Sequence, residues 1–409
     1  MLINQTKVKL SESCKIIDLC GIRILGCADT GAIIGLDDEG EAFISILQDE
    51  GFINETNLTE NQLNLLNAMH HHGYFKESKP VQKINKAYLH VTSNCNLKCD
   101  GCYSHEEDRN SKQHLSLFQI RNILNKLKKS GISMLIISGG EPFIREDMVD
   151  ILKYAKLELE IEHINCITNG TASIETYMDA SIYCDTLSFS LDSHDNKSAV
   201  MRPNYIFDSL VKKVQALKES GACVEIIFTM HRKNLTTSSC MADLAESIGV
   251  PYSYSLFSTV EFESYKSDLA LTNEDYEMLF ETENNNINNL NIDDLRCTVA
   301  CSAGRTMISV ASNGDIYPCH LFNGYSEFLM GNILQNDVAE ILQGNANILA
   351  STTVDDLTAC SDCAVRYLCG GGCRFRGYAL SGNILQADTR LCKNHFSKIE
   401  TTINQALSQ

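Results

Sequence analysis

Cys95, Cys99 and Cys102 stand in the run S-N-C-N-L-K-C-D-G-C-Y-S with the spacing C-x3-C-x2-C. A four-iron, four-sulfur cluster ordinarily takes four thiolates. Three thiolates from one tight loop, with no fourth cysteine nearby, hold three irons and leave the fourth open to a substrate or cofactor. That iron can do chemistry as well as carry electrons. A structural zinc site is the competing assignment. It would need a fourth ligand, for which His105 is at hand, and it usually shows paired C-x2-C spacings that this triplet lacks. The spacing favours the cluster.

The rest of the chain must position that loop. With 409 residues it is long enough for two or three domains, and its apolar fraction of 44% suits a packed globular protein. No apolar run approaches ~18 residues, so no membrane span is expected. The N-terminus has no apolar core followed by a small-residue cleavage site, so no secretory signal is expected. Eighteen cysteines without such a signal point to a reducing cytoplasm, where thiols stay free for metals. A formal charge of -18 argues against nucleic acid as a partner. It favours a partner or peptide that carries lysines.

From residue 87 to about 260, short β-branched runs alternate with segments of helical periodicity, as in repeated βα units. The predicted strands are Ala87–Thr92, Met134–Ser138, His163–Thr168, Thr186–Leu191, Val224–Met230 and Tyr252–Leu256. Leu117–Lys129, Asp147–Lys156, Phe207–Glu219 and Cys240–Ile248 read as helices between them. Six such units predict an α/β fold, a partial (β/α)6 barrel, whose chemistry sits on loops at the C-terminal ends of the strands. The cysteine triplet follows the first strand, where such a site belongs.

The loop after the second strand reads I-S-G-G-E-P-F. Gly139 and Gly140 allow close backbone approach to a ligand, and Glu141 offers a carboxylate to an ammonium. Thr168–Asn169–Gly170 and Ser190–Leu191–Asp192 follow the third and fourth strands, where each is also compatible with a helix cap or Asx-turn. Together with the triplet, these motifs resemble the radical S-adenosylmethionine (SAM) enzymes. The resemblance implies that Gly139, Gly140 and Glu141 receive the methionine amino group. It also implies that Asn169, Ser190 and Asp192 approach the ribose and methionine parts of SAM, and that Arg202 pairs with a carboxylate. One position departs from the family, where the residue before the last cluster cysteine is commonly aromatic; here it is Gly101. The departure leaves ligation intact and removes any adenine contact from that position.

A second cysteine system occupies the C-terminal third. It runs C-x12-G-x4-C from Cys301 through Gly314 to Cys319, then C-x2-C-x5-C-x3-C through Cys360, Cys363, Cys369 and Cys373, and ends at Cys392. This order resembles the SPASM domain of peptide-modifying radical SAM enzymes, which holds two auxiliary [4Fe-4S] clusters. By that resemblance Cys297, Cys301, Cys319 and Cys373 hold the nearer cluster, and Cys360, Cys363, Cys369 and Cys392 the farther one. Ligands interleaved in this way staple loops together and supply folding free energy. Without Cys297, the family's variable ligand, the nearer cluster keeps an open iron at which a substrate thiolate can dock. The other seven cysteines, Cys14, Cys20, Cys27, Cys166, Cys184, Cys223 and Cys240, are expected to behave as small buried apolar residues. Cys166 is the one among them expected to face the barrel interior.

Residues 1–80 have a different rhythm. Cys14–Leu19, Ile22–Cys27 and Ala32–Leu36 read as strands, and Glu41–Gln48 and Glu60–His72 as helices. This small winged-helix-like α+β unit resembles the leader-recognition element of enzymes that mature ribosomal peptides, which adds the leader as a strand at a sheet edge. A plain winged-helix scaffold is the alternative. His70, His71 and His72 point in different directions on a helix and are expected at a solvated helix end. A linker at 76–86, containing Pro80, leads to the barrel. The expected domains are 1–80, 81–290 (barrel) and 291–409 (SPASM).

The implied protein is a radical SAM peptide maturase, with a cysteine sulfur-to-carbon cross-link as the leading product. Carbon–carbon cyclisation, formylglycine formation and epimerisation are the enzymatic alternatives, the last with Cys166 as hydrogen donor. A non-catalytic iron–sulfur carrier or scaffold is the other class. The implied partners are a precursor peptide with its leader and a flavodoxin or ferredoxin reductant.

Overall fold

The computed structural model describes residues 5–407 apart from 8, 20, 51, 55–57, 76–83, 105–109, 111–113, 204–205, 259–267, 286–294 and 345. The expected linker up to 83, Cys20 and His105 lie outside the described residues. The chain divides into two compact units. One comprises Gln82–Leu279 and Ser302–Ser351, and the other Met1–Val81, Phe280–Cys301 and Thr352–Gln409.

In chain order the strands and helices up to the sixth barrel unit are β1 (Gln5–Lys7), β2 (Cys14–Leu19), β3 (Ile22–Cys27), β4 (Ile33–Leu36), α1 (Asp38–Glu50), β5 (Phe52–Asn54), α2 (Glu60–His71), β6 (Lys86–His90), α3 (Leu117–Lys129), β7 (Met134–Ser138), α4 (Met148–Lys153), β8 (His163–Thr168), α5 (Ile174–Ser181), β9 (Thr186–Leu191), α6 (Phe207–Glu219), β10 (Val224–Met230), α7 (Ser238–Ile248) and β11 (Tyr252–Leu256). Three later strands are β12 (Met307–Val310), β13 (Asp315–Tyr317) and β14 (Gly331–Asn332).

The larger unit is built on one sheet in the order β11-β10-β9-β8-β7-β6-β12-β13-β14. Strands β6 to β11 pair in parallel, which is the expected six-unit partial barrel. Its helices form because their apolar residues recur at helical spacing. In α3, Ser116 and Gln119 make a capping box, and Ile120, Ile123, Leu124 and Leu127 are buried on one face. Each such side chain contributes roughly 1.5–3 kcal/mol. The sheet runs beyond the expected six strands. β12 pairs in parallel with β6 on its free side, and β13 and β14 continue antiparallel. The stretch Ser302–Ser351 thus belongs with the barrel, across the boundary expected at 290.

Register decides what faces the barrel interior. Tyr88, Ile136 and Asn165 are aligned across β6, β7 and β8. Asn165 joins Ser188 and Glu225 in a hydrogen-bonded ladder across three strands. The alternate row holds Leu89, Ile137, Cys166 and Leu187, all fully buried. On that same face of β9, Phe189 meets the Tyr177 ring of α5. Cys166 therefore faces the helices, not the barrel interior as expected, because strand side chains alternate with period two.

In the other unit β2, β3 and β4 form an antiparallel sheet, and β1 pairs with β5. One face of the three-stranded sheet packs Leu25 and Cys27 against Phe43, Ile44 and Leu47 of α1 and Leu66 and Met69 of α2. The opposite face packs Ile17, Leu19 and Ile24 against Leu295, Cys297, Val354, Leu357, Cys360 and Leu368, and against Ile399 and Ile403 of the C-terminal helix Cys392–Leu407. The first eighty residues share a core with the C-terminal segment. Their sheet is apolar on both faces and needs the C-terminal segment to cover the second one. His70, His71 and His72 stand exposed at the end of α2, as expected.

Candidate functional site

The triplet loop leaves the C-terminal end of β6. The Gly140 and Glu141 N–H groups donate to the Thr92 and Asn94 carbonyls, each at 2.8 Å. A Cβ at Gly139 would lie 2.3 Å from the Thr92 oxygen, and one at Gly140 would lie 2.0 Å from the Asn94 oxygen. Glycine is required at both positions because the second loop is knitted backbone to backbone onto the first. Asn110 clamps the start of the triplet, its Oδ1 accepting from Cys95 N–H at 2.8 Å and its Nδ2 donating to Cys95 O at 3.0 Å. The Leu97 N–H and Asn169 Nδ2 both point at Cys95 Sγ, at 3.4 and 3.8 Å. Three thiols on one loop, one of them already met by N–H donors, fit an anionic cluster.

Glu141 is 1% exposed. Its Oε1 accepts from Phe143 N–H at 3.1 Å and Thr168 Oγ1 at 2.8 Å, and its Oε2 from Asn169 N–H at 2.7 Å. Burial pushes its carboxyl up to about 7 against the pull of those donors. The carboxylate ties the second loop to the third. Asp192 has a similar task. It is fully buried, its Oδ2 accepts from Met201 N–H at 2.8 Å, and its Oδ1 accepts from Arg202 Nη1 at 3.3 Å. Burial opposes its ionisation, yet the His231 hydrogen bond, the Arg202 charge and the Met201 N–H hold it below the usual carboxylate range. Arg202 is thus paired with Asp192 within the chain. Ser190 is half-buried on the inner row of β9, opposite Ile227. His231 and Asn234, which follow β10, escaped sequence reading. Asn234 Nδ2 donates to the Asp192 and Thr229 carbonyls, both at 2.9 Å.

The structure also accounts for Gly101. It has φ 64°, and a Cβ there would lie 2.0 Å from the Phe257 ring. Phe257 follows β11 and packs with Met201 and Leu269 against Cys99. Its N–H donates to Met230 O, and Asp100 N–H donates to Met201 O. The ring absent from position 101 is thus matched by one arriving from the sixth strand. Burial pushes the Cys99 thiol up to about 11, opposed by the Arg202 guanidinium.

Tyr103, next to Cys102, meets the His320 ring edge-on at 5.4 Å, and His320 stacks on Tyr88 at 4.1 Å. His320 Nδ1 is 3.5 Å from Cys319 Sγ. The Tyr103 phenol feels the charge of both Cys102 and Cys319. His90 completes the group, 6.2 Å from Tyr103 and within 3.4 Å of Asn323 Nδ2. Burial, with His320 adding to it, pushes His90 down to about 3. Neither histidine nor Tyr103 carried a spacing signal in the sequence.

In the other unit the thiols of Cys360, Cys363, Cys369 and Cys392 lie in one another's electrostatic field. Gly370, Gly371 and Gly372 all have left-handed φ, and the last two donate N–H groups to Cys369. Such a run of convergent N–H groups suits an anion. Cys301 and Cys373 lie in the field of the buried Arg374. Cys297 is placed differently. Its Sγ would touch a Cβ at Gly26 at 2.7 Å, its N–H donates to Gly31 O, and its electrostatic neighbours are Cys27, Lys15 and Asp29. It seats the segment before Cys301 on the N-terminal sheet. Cys14 and Cys27 are directly paired across β2 and β3.

Residues 89–237 match the model of the radical SAM superfamily, and residues 301–364 match that of an iron–sulfur cluster-binding domain, SPASM. The mycofactocin maturase MftC of Mycobacterium tuberculosis is 26% identical over 71% of this chain and 80% of its own. The pre-heme d1 synthase of Dinoroseobacter shibae is 22% identical over 72% of this chain and 82% of its own. Among solved structures, anSMEcpe with bound AdoMet superposes with TM-score 0.62 at 16% identity, covering 80% of this chain and 98% of its own. Streptococcus suis SuiB bound to its precursor peptide SuiA superposes with TM-score 0.57 at 18% identity, covering 90% and 96%. Among the described residues no helix is long and apolar enough to cross a membrane.

Proposed function

Because this chain is a radical SAM enzyme with a C-terminal SPASM domain, related to peptide maturases, we propose that it cross-links a ribosomally made precursor peptide, joining a cysteine sulfur to a carbon of another residue. When bound at Cys95, Cys99 and Cys102, the cluster and SAM supply hydrogen-atom abstraction by a 5′-deoxyadenosyl radical. The chain's own residues do the rest. Gly139, Gly140, Glu141, Asn169, Ser190, Asp192 and Arg202 shape the loops that would receive SAM. Phe257, Met201 and Leu269 keep water from the Cys99 side of the loop.

Closing a carbon–sulfur bond removes two hydrogens from the peptide. One leaves as an atom, the other as a proton and an electron. The observation that carries the reading is the aromatic contact between Tyr103 and His320, which joins Cys102 to Cys319 inside one compact unit. It offers the electron an exit toward the SPASM cysteines, which redox-neutral chemistry would not need. Two auxiliary clusters, with Cys301, Cys319 and Cys373 at the nearer and Cys360, Cys363, Cys369 and Cys392 at the farther, complete the proposal. Cys297 is the eighth candidate ligand. Epimerisation loses support because Cys166 faces the helices. The leader would add a strand at an edge of the β2-β3-β4 sheet, since both its faces are covered.

The test is the mass of a short cysteine-containing peptide encoded beside this gene, after anaerobic reaction with SAM and the reduced, cluster-loaded protein. The reductant would be a flavodoxin or ferredoxin. A loss of about two mass units per event, with the cysteine protected from alkylation, is expected. The same loss with every thiol still alkylatable would replace the thioether with carbon–carbon closure. Deuterium uptake from heavy water without mass loss in ordinary water would overturn cross-linking altogether.

A further inference from the structure

Arg374 heads the largest fully buried side chains, at 1% exposure. Its Nη1 donates to Gly371 O at 3.0 Å and its Nη2 to Gly370 O at 3.2 Å, while Nε has no partner. A Cβ at Gly371 would lie 2.8 Å from Nη1, so the left-handed glycine turn is fitted around the guanidinium. Among the described residues no carboxylate pairs with it. Burial works against its charge, and the sulfurs of Cys301, Cys360, Cys373 and Cys369 are among its electrostatic neighbours.

A guanidinium keeps its proton under all ordinary conditions. Buried without an anion it is strongly destabilising, and carbonyl dipoles compensate only part of that cost. Protonated thiols do not help, whereas cluster-bound thiolates do. The four sulfurs belong to both proposed auxiliary sets, Cys301 and Cys373 to the nearer, Cys360 and Cys369 to the farther. Resting on that ligand assignment, we propose that Arg374 is a counter-charge shared by the two auxiliary clusters, which raises the reduction potential of both. A fixed positive charge lowers the energy of the more negative, reduced state of each cluster. Such a residue tunes the clusters as electron acceptors without touching substrate.

The experiment compares the full-length wild-type chain with Arg374→Met and Arg374→Lys after anaerobic cluster loading. Iron content is measured first, then the potentials by redox titration followed with electron paramagnetic resonance. In Arg374→Met both auxiliary signals should titrate at lower potential, while Arg374→Lys, which keeps the charge, should stay nearer wild type. Full iron content with unchanged potentials in Arg374→Met would overturn the proposal. If Arg374→Met does not retain iron, thermal unfolding of the metal-free chains decides. Metal-free Arg374→Met should then be more stable than metal-free wild type, because it buries no unpaired charge; equal or lower stability would overturn the proposal. Wild-type iron sufficient for one cluster only would instead overturn the ligand assignment beneath it.

Discussion

Gly101 shows how far single residues speak for themselves. The sequence marks it as a departure from a usually aromatic position, but nothing in the sequence ties it to Phe257, which reaches the loop from the far end of the barrel. The pair is expected to be interdependent. Gly101→Ala forces a Cβ into the Phe257 ring, and overpacking of that kind costs roughly 1–3 kcal/mol. Phe257→Leu opens the Cys99 side to water. Each alone should speed loss of the cluster's visible absorbance in the presence of a chelator. Combined, they should partly restore retention, with a remaining deficit of about 1–2 kcal/mol for a side chain held at positive φ. Additive losses in the double variant would sink the idea. Glu141 and Asp192 carry the complementary lesson. Their types and positions were legible, but the direction of each carboxylate, inward and tying loops together, depends on partners such as Thr168 and Arg202 that only the folded loops bring near.

Among elements, β7, β8 and β10 fall on the runs that β-branched patterning picks out, because a strand packed under helices must be continuously apolar on one row. β12 was missed. Its four residues, Met307–Val310, are too short to show a period, and their partner β6 is remote in sequence. That pairing gathers Tyr88, His90 and the His320 loop at one end of the sheet. His90 makes this a matter of pH. Its folded-state proton affinity is depressed to about 3 by burial, from an ordinary value of 6.5. The unfolded chain then binds a proton that the folded chain refuses between those values. Stability from this group is complete above about pH 6.5 and is lost as pH falls toward 3, by a few kcal/mol in all. Urea unfolding of the metal-free chain at pH 7 and pH 5 should show a smaller acid loss for His90→Gln than for wild type. Parallel losses would mean that the barrel does not bury a neutral imidazole there.

The molecule as a whole joins its two ends. Residues 1–80 were legible as a three-stranded sheet with two helices, but not as half of a shared core, because periodicity shows that a strand has apolar sides without naming what covers them. Ile17, Leu19 and Ile24 pack on the same cluster as Leu357, Cys360 and Leu368. Withdrawing three such side chains forfeits roughly 1.5–3 kcal/mol apiece. A separable leader reader could be deleted with loss of peptide affinity alone. A sheet that completes the core around Cys360 cannot be, and deletion of residues 1–80 should also lower the iron content of the C-terminal cysteines. Gly26→Val asks the same question with the chain intact. Its side chain would collide with Cys297 Sγ, already 2.7 Å from an added Cβ, and should unseat the segment that leads to Cys301. Iron analysis of both variants against Cys297→Ala separates the possibilities. Loss in the first two with retention in Cys297→Ala makes Cys297 a packing residue and the N-terminal sheet a structural part of the SPASM core. Full iron in the deletion variant would make that sheet an appended peptide reader after all.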